Sequence, residues 1–263
     1  MDLYIKDRIA IVAASSRGLG KAVALGLAEE GVRLTICSRG KEALEKTADE
    51  IKSETGVEVL AISGDVSKPE DVKEIVSQTV KRYGTVHILV NNAGGPPLGD
   101  FLSFSPDDWQ RALELNLMST INLTREVIPY MRRQRWGRII NITSVAVKQP
   151  IDGLILSNTS RAGVIGFAKS ISNEFARDNI LVNNVCPGRI LTDRIIRLAE
   201  ERAKRGMVST EEIINSWEKD IPLGRIGRPK ELADLVVFLS SERASYITGA
   251  TIQVDGGIVK GIF

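Results

Sequence analysis

Between positions 144 and 161 the chain gathers a small set of side chains able to do chemistry. Ser144 and Ser157 offer hydroxyls, Arg161 offers a guanidinium, and Lys148 and Asp152 are the titratable side chains between them. Positions 157 and 161 stand four apart, so on a helix they share one face. A guanidinium there donates hydrogen bonds and supplies positive charge, but it relays no proton, because its pKa stays above about 12. A serine hydroxyl is a short, weak acid. Lys148 or Asp152 would act as a general acid or base only with a pKa moved toward neutrality; in a loop such residues are usually just solvated. His87 is the sole histidine. It stands at the start of an apolar run, where the amino end of a strand faces away from ligands, and a structural role is expected.

A second group suits phosphate binding. Ala13-Ala14-Ser15-Ser16-Arg17-Gly18-Leu19-Gly20 follows the first apolar run. Gly18 and Gly20 would let the backbone approach a pyrophosphate at the start of a helix. If that turn needs positive φ at Ala14, its β-carbon costs about 1 kcal/mol. Two glycines alone also fit an ordinary strand-to-helix turn. Other short motifs follow later runs: Asp65-Val66, Asn91-Asn92-Ala93-Gly94, and Pro187-Gly188 with Thr192. Asn116 lies in Glu114-Leu115-Asn116, and the chain ends through Ile247-Thr248-Gly249 and Val254-Asp255-Gly256-Gly257.

Seven short apolar runs would hold these groups in place: 9–13, 32–37, 57–62, 86–90, 138–142, 181–185 and 251–254. Stretches 20–30, 41–54, 69–83, 106–133, 158–177 and 230–240 read as helices. Near-continuous apolar strands alternating with helices predict a parallel sheet covered on both faces. The expected fold class is α/β, a doubly wound sheet of about seven strands that binds its ligand at the carboxyl ends of the strands. The composition, 43% hydrophobic and 26% charged, is ordinary for a globular chain with a sizeable core. No linker divides the 263 residues, so one domain spanning 1–263 is expected. A net charge of +2 without a compact basic stripe argues against nucleic acid as a partner. The charged start of the chain and the lack of a long apolar run argue against a leader or a membrane span. Cys37 and Cys186 have no metal or disulfide spacing and read as buried thiols of a reducing compartment, and a cytoplasmic location is expected.

With these motifs in this order, the chain resembles the short-chain dehydrogenase/reductase family over nearly its whole length. That resemblance implies a Rossmann-type domain and an oxidoreductase acting on a small carbonyl or alcohol substrate. It implies nucleotide contacts from Ser15, Ser16, Arg17, Gly18, Leu19, Gly20, Ser38, Arg39, Asp65, Val66, Asn92, Ala93, Gly94, Arg161, Pro187, Gly188 and Thr192. The cofactor should be NADP(H) rather than NAD(H). The second run ends in Cys37-Ser38-Arg39 with no carboxylate for a ribose 2′-hydroxyl, and Arg17 and Arg39 would pair with a 2′-phosphate. The family's catalytic set is an Asn, a Ser, and thirteen residues later a Tyr-x-x-x-Lys. Asn116 and Ser144 match the first two, but Ser157 and Arg161 stand in the Tyr and Lys places. Catalysis therefore needs an altered proton donor; the alternatives are a catalytically silent NADP(H)-binding protein, or a dehydration or isomerisation in a site that kept the cofactor fold. The stretch 189–219 would be a substrate lid, whose Arg189, Arg194 and Arg197 could meet an anion or merely form a solvated face. A homotetramer is expected, pairing 106–133 and 158–177 across one two-fold axis and the last strand with 230–240 across another.

Overall fold

The fold, taken from a computed structural model, is described for residues 2–262. Strands β1 (Ile9–Ala13), β2 (Arg33–Ser38), β3 (Val59–Ser63), β4 (Ile88–Asn91), β5 (Gly137–Ile142), β6 (Ile180–Pro187) and β7 (Thr251–Val254) form one sheet in the order β3-β2-β1-β4-β5-β6-β7. Every neighbouring pair is parallel. Helices α1 (Gly18–Glu29), α2 (Lys41–Thr55), α3 (Pro69–Tyr83), α4 (Pro106–Leu113), α5 (Ser119–Gln134), α6 (Ile155–Phe175), α7 (Asp193–Gly206), α8 (Thr210–Asp220) and α9 (Pro229–Leu239) make the connections.

The central strands are mostly apolar because both of their faces are covered. Alternate residues Val12, Leu34, Ile36, Val90 and Ile140 pack with Val23 and Leu27 of α1, Leu44 of α2 and Val236 of α9. Their neighbours Ile11, Leu89, Ile139 and Val182 pack with Ile75 of α3, Leu123 and Val127 of α5, and Ala168 of α6. The strand order reverses between β1 and β4, which opens a crevice at their carboxyl ends. Ala199, Trp217, Ile221 and Ile226 form a separate small core under α7 and α8. Among the described residues no helix is long and apolar enough to cross a membrane.

The predicted bounds hold for β1, β7 and α3 and shift by a few residues elsewhere. One element differs in kind. The helix expected over 106–133 is interrupted by a wide π turn, Glu114–Met118, between α4 and α5. Ser105 and Asp108 start α4 by capping each other's backbone. The wide turn carries Asn116 at its centre, and such bulges recur at functional sites.

Two polar devices sit inside the sheet. Asn91, Asn141, Asn184 and Thr251 lie in register on β4, β5, β6 and β7. They form a ladder in which Asn141 donates to Asn184 at 2.9 Å and Asn91 donates to Asn141 at 2.9 Å. At the opposite, amino end, Arg138 is fully buried, stacks 4.3 Å from the Trp136 ring and pairs with Glu242 at 3.3 Å.

Candidate active site at the sheet's carboxyl edge

The turn after β1 is built from its backbone. Ala14 has φ +47° and Gly18 has φ +59°, both left-handed. No side chain caps the first N–H groups of α1, so they are free to meet an anion. A β-carbon on Gly20 would collide with the Ala14 carbonyl, so the glycine is required by close approach. Asn92, just past β4, steadies the turn by donating to the Ala13 and Ala14 carbonyls at 3.3 Å. Ser15 corrects an expectation. It is fully buried; its hydroxyl donates to Val12 O at 2.7 Å and accepts from Cys37 N at 3.2 Å. It fastens the turn instead of facing a ligand. Ser16 has its carbonyl taken by Thr47 Oγ1 at 2.9 Å, and Leu19 packs against the core.

Arg17 and Arg39 both lie exposed at this edge. Arg17 stands 4.0 Å from Asp193, and Arg39 stands 4.0 Å from Asp65. Pairs this long and this exposed add little stability, and both arginines remain available to a stronger anion. Ser38, between Cys37 and Arg39, is half-buried. Asp65 also accepts from Ser67 N and Oγ at 3.0 and 2.8 Å, while Val66 is buried in the core. Across the crevice, Gly188 N donates to Val254 O at 2.9 Å after Pro187, and Thr192 Oγ caps α7. Thr192 packs against Gly18, so α1 and α7 start side by side.

The catalytic candidates come together from three elements. Ser144 follows β5, and its Oγ accepts from Ala146 N at 3.1 Å. Ser157 and Arg161 lie on α6, both buried, and Arg161 Nε donates to Ser157 Oγ at 3.3 Å. Arg161 Nη1 donates to the carbonyls of Ile142 and Thr143, each at 3.1 Å. Its Nη2 donates to Ala93 O at 3.3 Å and Gly94 O at 3.5 Å. All five N–H donors thus have protein acceptors. The resemblance implied a ribose contact here; a ribose hydroxyl would have to take the place of a loop carbonyl. Burial, and then the neighbouring charge of Arg194, bring the Arg161 pKa down to about 10, so it stays cationic at neutral pH. Asn116 donates to Gly94 O at 3.2 Å, and its Oδ1 is buried without a partner among the described residues.

Burial raises the pKa of the Cys186 thiol, and Lys148 is near enough to it for its charge to lower that pKa. Asp152 is exposed and Lys148 half-buried. His87 lies at the far end of the sheet and accepts from Ile9 N at 3.1 Å, a structural place as expected. Cys37 and Cys186 are buried free thiols, and burial pushes Cys37 up to about 12. Two features escaped the sequence reading. Cys186 Sγ lies 3.1 Å from Thr143 Oγ, against the strand end that Arg161 binds. The asparagine ladder was signalled only by Asn141 and Asn184 standing inside apolar runs.

A glycine turn at the switch point of a doubly wound parallel sheet, with hydroxyls and a cation across the crevice, defines a Rossmann-type α/β protein whose site is at the sheet's carboxyl edge. Comparison with known proteins narrows this class. The model of the enoyl-(acyl carrier protein) reductase family matches residues 13–259. The 3-oxoacyl-(acyl-carrier-protein) reductase of Aquifex aeolicus is 37% identical over 98% of this chain and 100% of its own. A putative ketoacyl reductase of Streptomyces coelicolor is 34% identical over 96% of this chain and 97% of its own. Among solved structures, L-sorbose reductase from Gluconobacter frateurii, complexed with NADPH and L-sorbose, superposes with a TM-score of 0.96 at 35% identity, covering 100% of both chains. YwfH, an NADPH-dependent reductase involved in bacilysin biosynthesis, gives 0.93 at 31% identity over 98% of this chain and 100% of its own. The chain belongs to the short-chain dehydrogenase/reductase family.

Proposed function

We propose that the protein is an NADP(H)-dependent oxidoreductase, moving hydride between the nicotinamide and a carbonyl or alcohol, with Ser157 backed by Arg161 as its proton donor. The observation that carries this reading is the Arg161–Ser157 pair, buried on α6, with Arg161 also bound to the Thr143 carbonyl next to Ser144. Relatives with NADPH in their structures, the sorbose reductase and an actinorhodin polyketide ketoreductase, support the cofactor.

The residues present fit that cofactor. Uncapped N–H groups at α1 suit a diphosphate, and Arg17 and Arg39 flank the edge where a 2′-phosphate would lie. The partnerless Asn116 Oδ1 is an acceptor awaiting a water or hydroxyl. Thr192, Pro187 and Gly188 would border the nicotinamide end, with 189–219 as a lid. When bound, the cofactor supplies or accepts the hydride. Ser144 orients the substrate carbonyl by donating its hydroxyl proton. Arg161 holds positive charge beneath the developing oxyanion and donates to a Ser157 lone pair. That bond leaves the Ser157 O–H free to donate and makes it more acidic, although less so than a phenol. A serine reaches less far than a tyrosine, so a water can complete the path to the substrate oxygen.

The test follows NADPH consumption across aldehydes, ketones, sugars and acyl thioesters, with the parent and Ser157→Ala. The parent should turn over part of the panel, and Ser157→Ala should lose roughly 10²-fold. NADPH binding without consumption anywhere in the panel would identify a silent cofactor-binding protein instead.

A further inference from the structure

The three lid arginines have different fates. Arg189 stacks 4.9 Å from the Trp217 ring and pairs with Asp220 at 3.3 Å, so it builds the lid. Arg197 is exposed and donates to Asp193 O at 3.2 Å, on its own helix. Arg194 turns inward. Its guanidinium lies against the bare Cα of Gly95: a β-carbon there would sit 2.5 Å from Nη2. Among the described residues only Nη2 has a protein acceptor, Pro96 O at 3.1 Å. Arg194 is half-buried, and burial lowers its pKa; the acid nearest in effect is Glu201, which makes no salt bridge with it among the described residues.

Arg161 and Arg194 therefore hold consecutive parts of one loop, at residues 93–94 and 95–96. The two guanidinium groups are close enough that Arg194 disfavours the charge on Arg161. Among the described residues Arg194 forms no salt bridge, so an anion would relieve two half- or fully buried positive charges held on one loop. Arg161 has used its donors. Arg194 has kept most of its fork, which suits a two-oxygen anionic group.

We infer that Arg194 is a specificity residue that binds an anionic group of the substrate, a carboxylate or phosphate on a small carbonyl compound. This rests on the oxidoreductase reading above. Within it, the substrate is an oxo acid or its phosphate counterpart, docked with its anion on Arg194 under the lid and its carbonyl toward Ser144 and Ser157.

The test titrates the protein–NADPH complex calorimetrically with 2-oxobutanoate, acetoacetate and dihydroxyacetone phosphate, each against a neutral counterpart (the methyl esters and dihydroxyacetone). The parent should favour at least one acid or phosphate by roughly tenfold or more, the worth of a charge-assisted pair. Which of the two anions wins distinguishes carboxylate from phosphate. Arg194→Met should abolish that preference without changing NADPH affinity, Arg194→Lys should keep part of it, and Arg197→Met should keep all of it. Gly95→Ala, which displaces the guanidinium without removing it, should weaken the preference as well. No preference in the parent, or one that survives Arg194→Met, overturns the inference. Loss of NADPH affinity in Arg194→Met also overturns it, assigning the side chain to the cofactor. A parent that binds no NADPH is the separate result that removes the oxidoreductase reading itself.

Discussion

Arginine at position 161 makes a set of bonds that lysine could not. It reaches four carbonyls on two strand ends and a hydroxyl on its own helix, and it does so with a charge that stays on at neutral pH. The same retained charge removes any proton relay. A tyrosine at 157 would restore a strong acid, and lysine at 161 would restore the relay. Ser157→Tyr with Arg161→Lys should therefore raise NADPH-dependent reduction of some ketone or aldehyde above the parent's rate, by up to about 10²-fold. The double variant should also melt lower, since three ammonium donors replace five at buried carbonyls. No gain in rate, with the fold intact, would show that the proton already arrives by another route. At the nucleotide edge, Arg39→Asp should weaken NADPH binding about tenfold or more while leaving NADH little changed, because one charged bond to phosphate is worth roughly 1.5–3 kcal/mol. Equal affinities of the parent for NADPH and NADH, by fluorescence titration, would contradict the assignment. The spacing of Ser144, Ser157 and Arg161 was plain in the sequence. The partners of Arg161 were not, because residues 93–94 and 142–143 reach it only through the sheet, and nothing in the chain separates Arg194 from Arg189 and Arg197.

Elements carry the strain and the pH dependence. Ala14 holds φ +47° without being glycine. Ala14→Gly should stabilise the protein by about 0.5–1 kcal/mol, the relief of a left-handed β-carbon less the added freedom of the unfolded chain; a lower denaturant midpoint would show that the alanine side chain contributes packing worth more than its strain. At the other end of the sheet, His87 Nδ1 must stay unprotonated to accept from Ile9 N. Burial, with Arg8 and Arg33 nearby, brings its pKa from 6.5 to about 4. In that window the unfolded chain binds a proton that the folded chain refuses, so stability is full above pH 6.5 and falls as pH drops toward 4. Discounted for partial solvent contact, the loss is about 1–2 kcal/mol. His87→Asn, whose Oδ1 can take the same N–H, should flatten the stability–pH curve there; an unchanged slope would place the titration elsewhere. Strands and most helices were legible because buried parallel strands write continuous apolar runs. The π turn at Glu114–Met118 was not, since a bulge adds one residue to a helix without altering its composition.

For the whole molecule, β3 and β7 are the sheet's edges, and β7 is only partly covered. Phe101 and Leu102 before α4, Met118 between α4 and α5, and Tyr246 before β7 are large exposed apolar residues. We expect these faces to meet in a homotetramer, with α4, α5 and α6 across one two-fold axis and α9 with β7 across another. Light scattering should give four times the 28.7 kDa chain; a stable monomer at micromolar concentration would contradict it. The central claim, that this chain moves hydride with a serine where the family's acid stands, is tested most directly by isotope transfer. NADPH carrying deuterium at its transferable position is incubated with the parent and a panel of carbonyl compounds, and the alcohols are read by mass spectrometry. Deuterium should appear on the former carbonyl carbon of at least one product, and Ser157→Ala should suppress it. Bound NADPH that yields no deuterated product would contradict the claim.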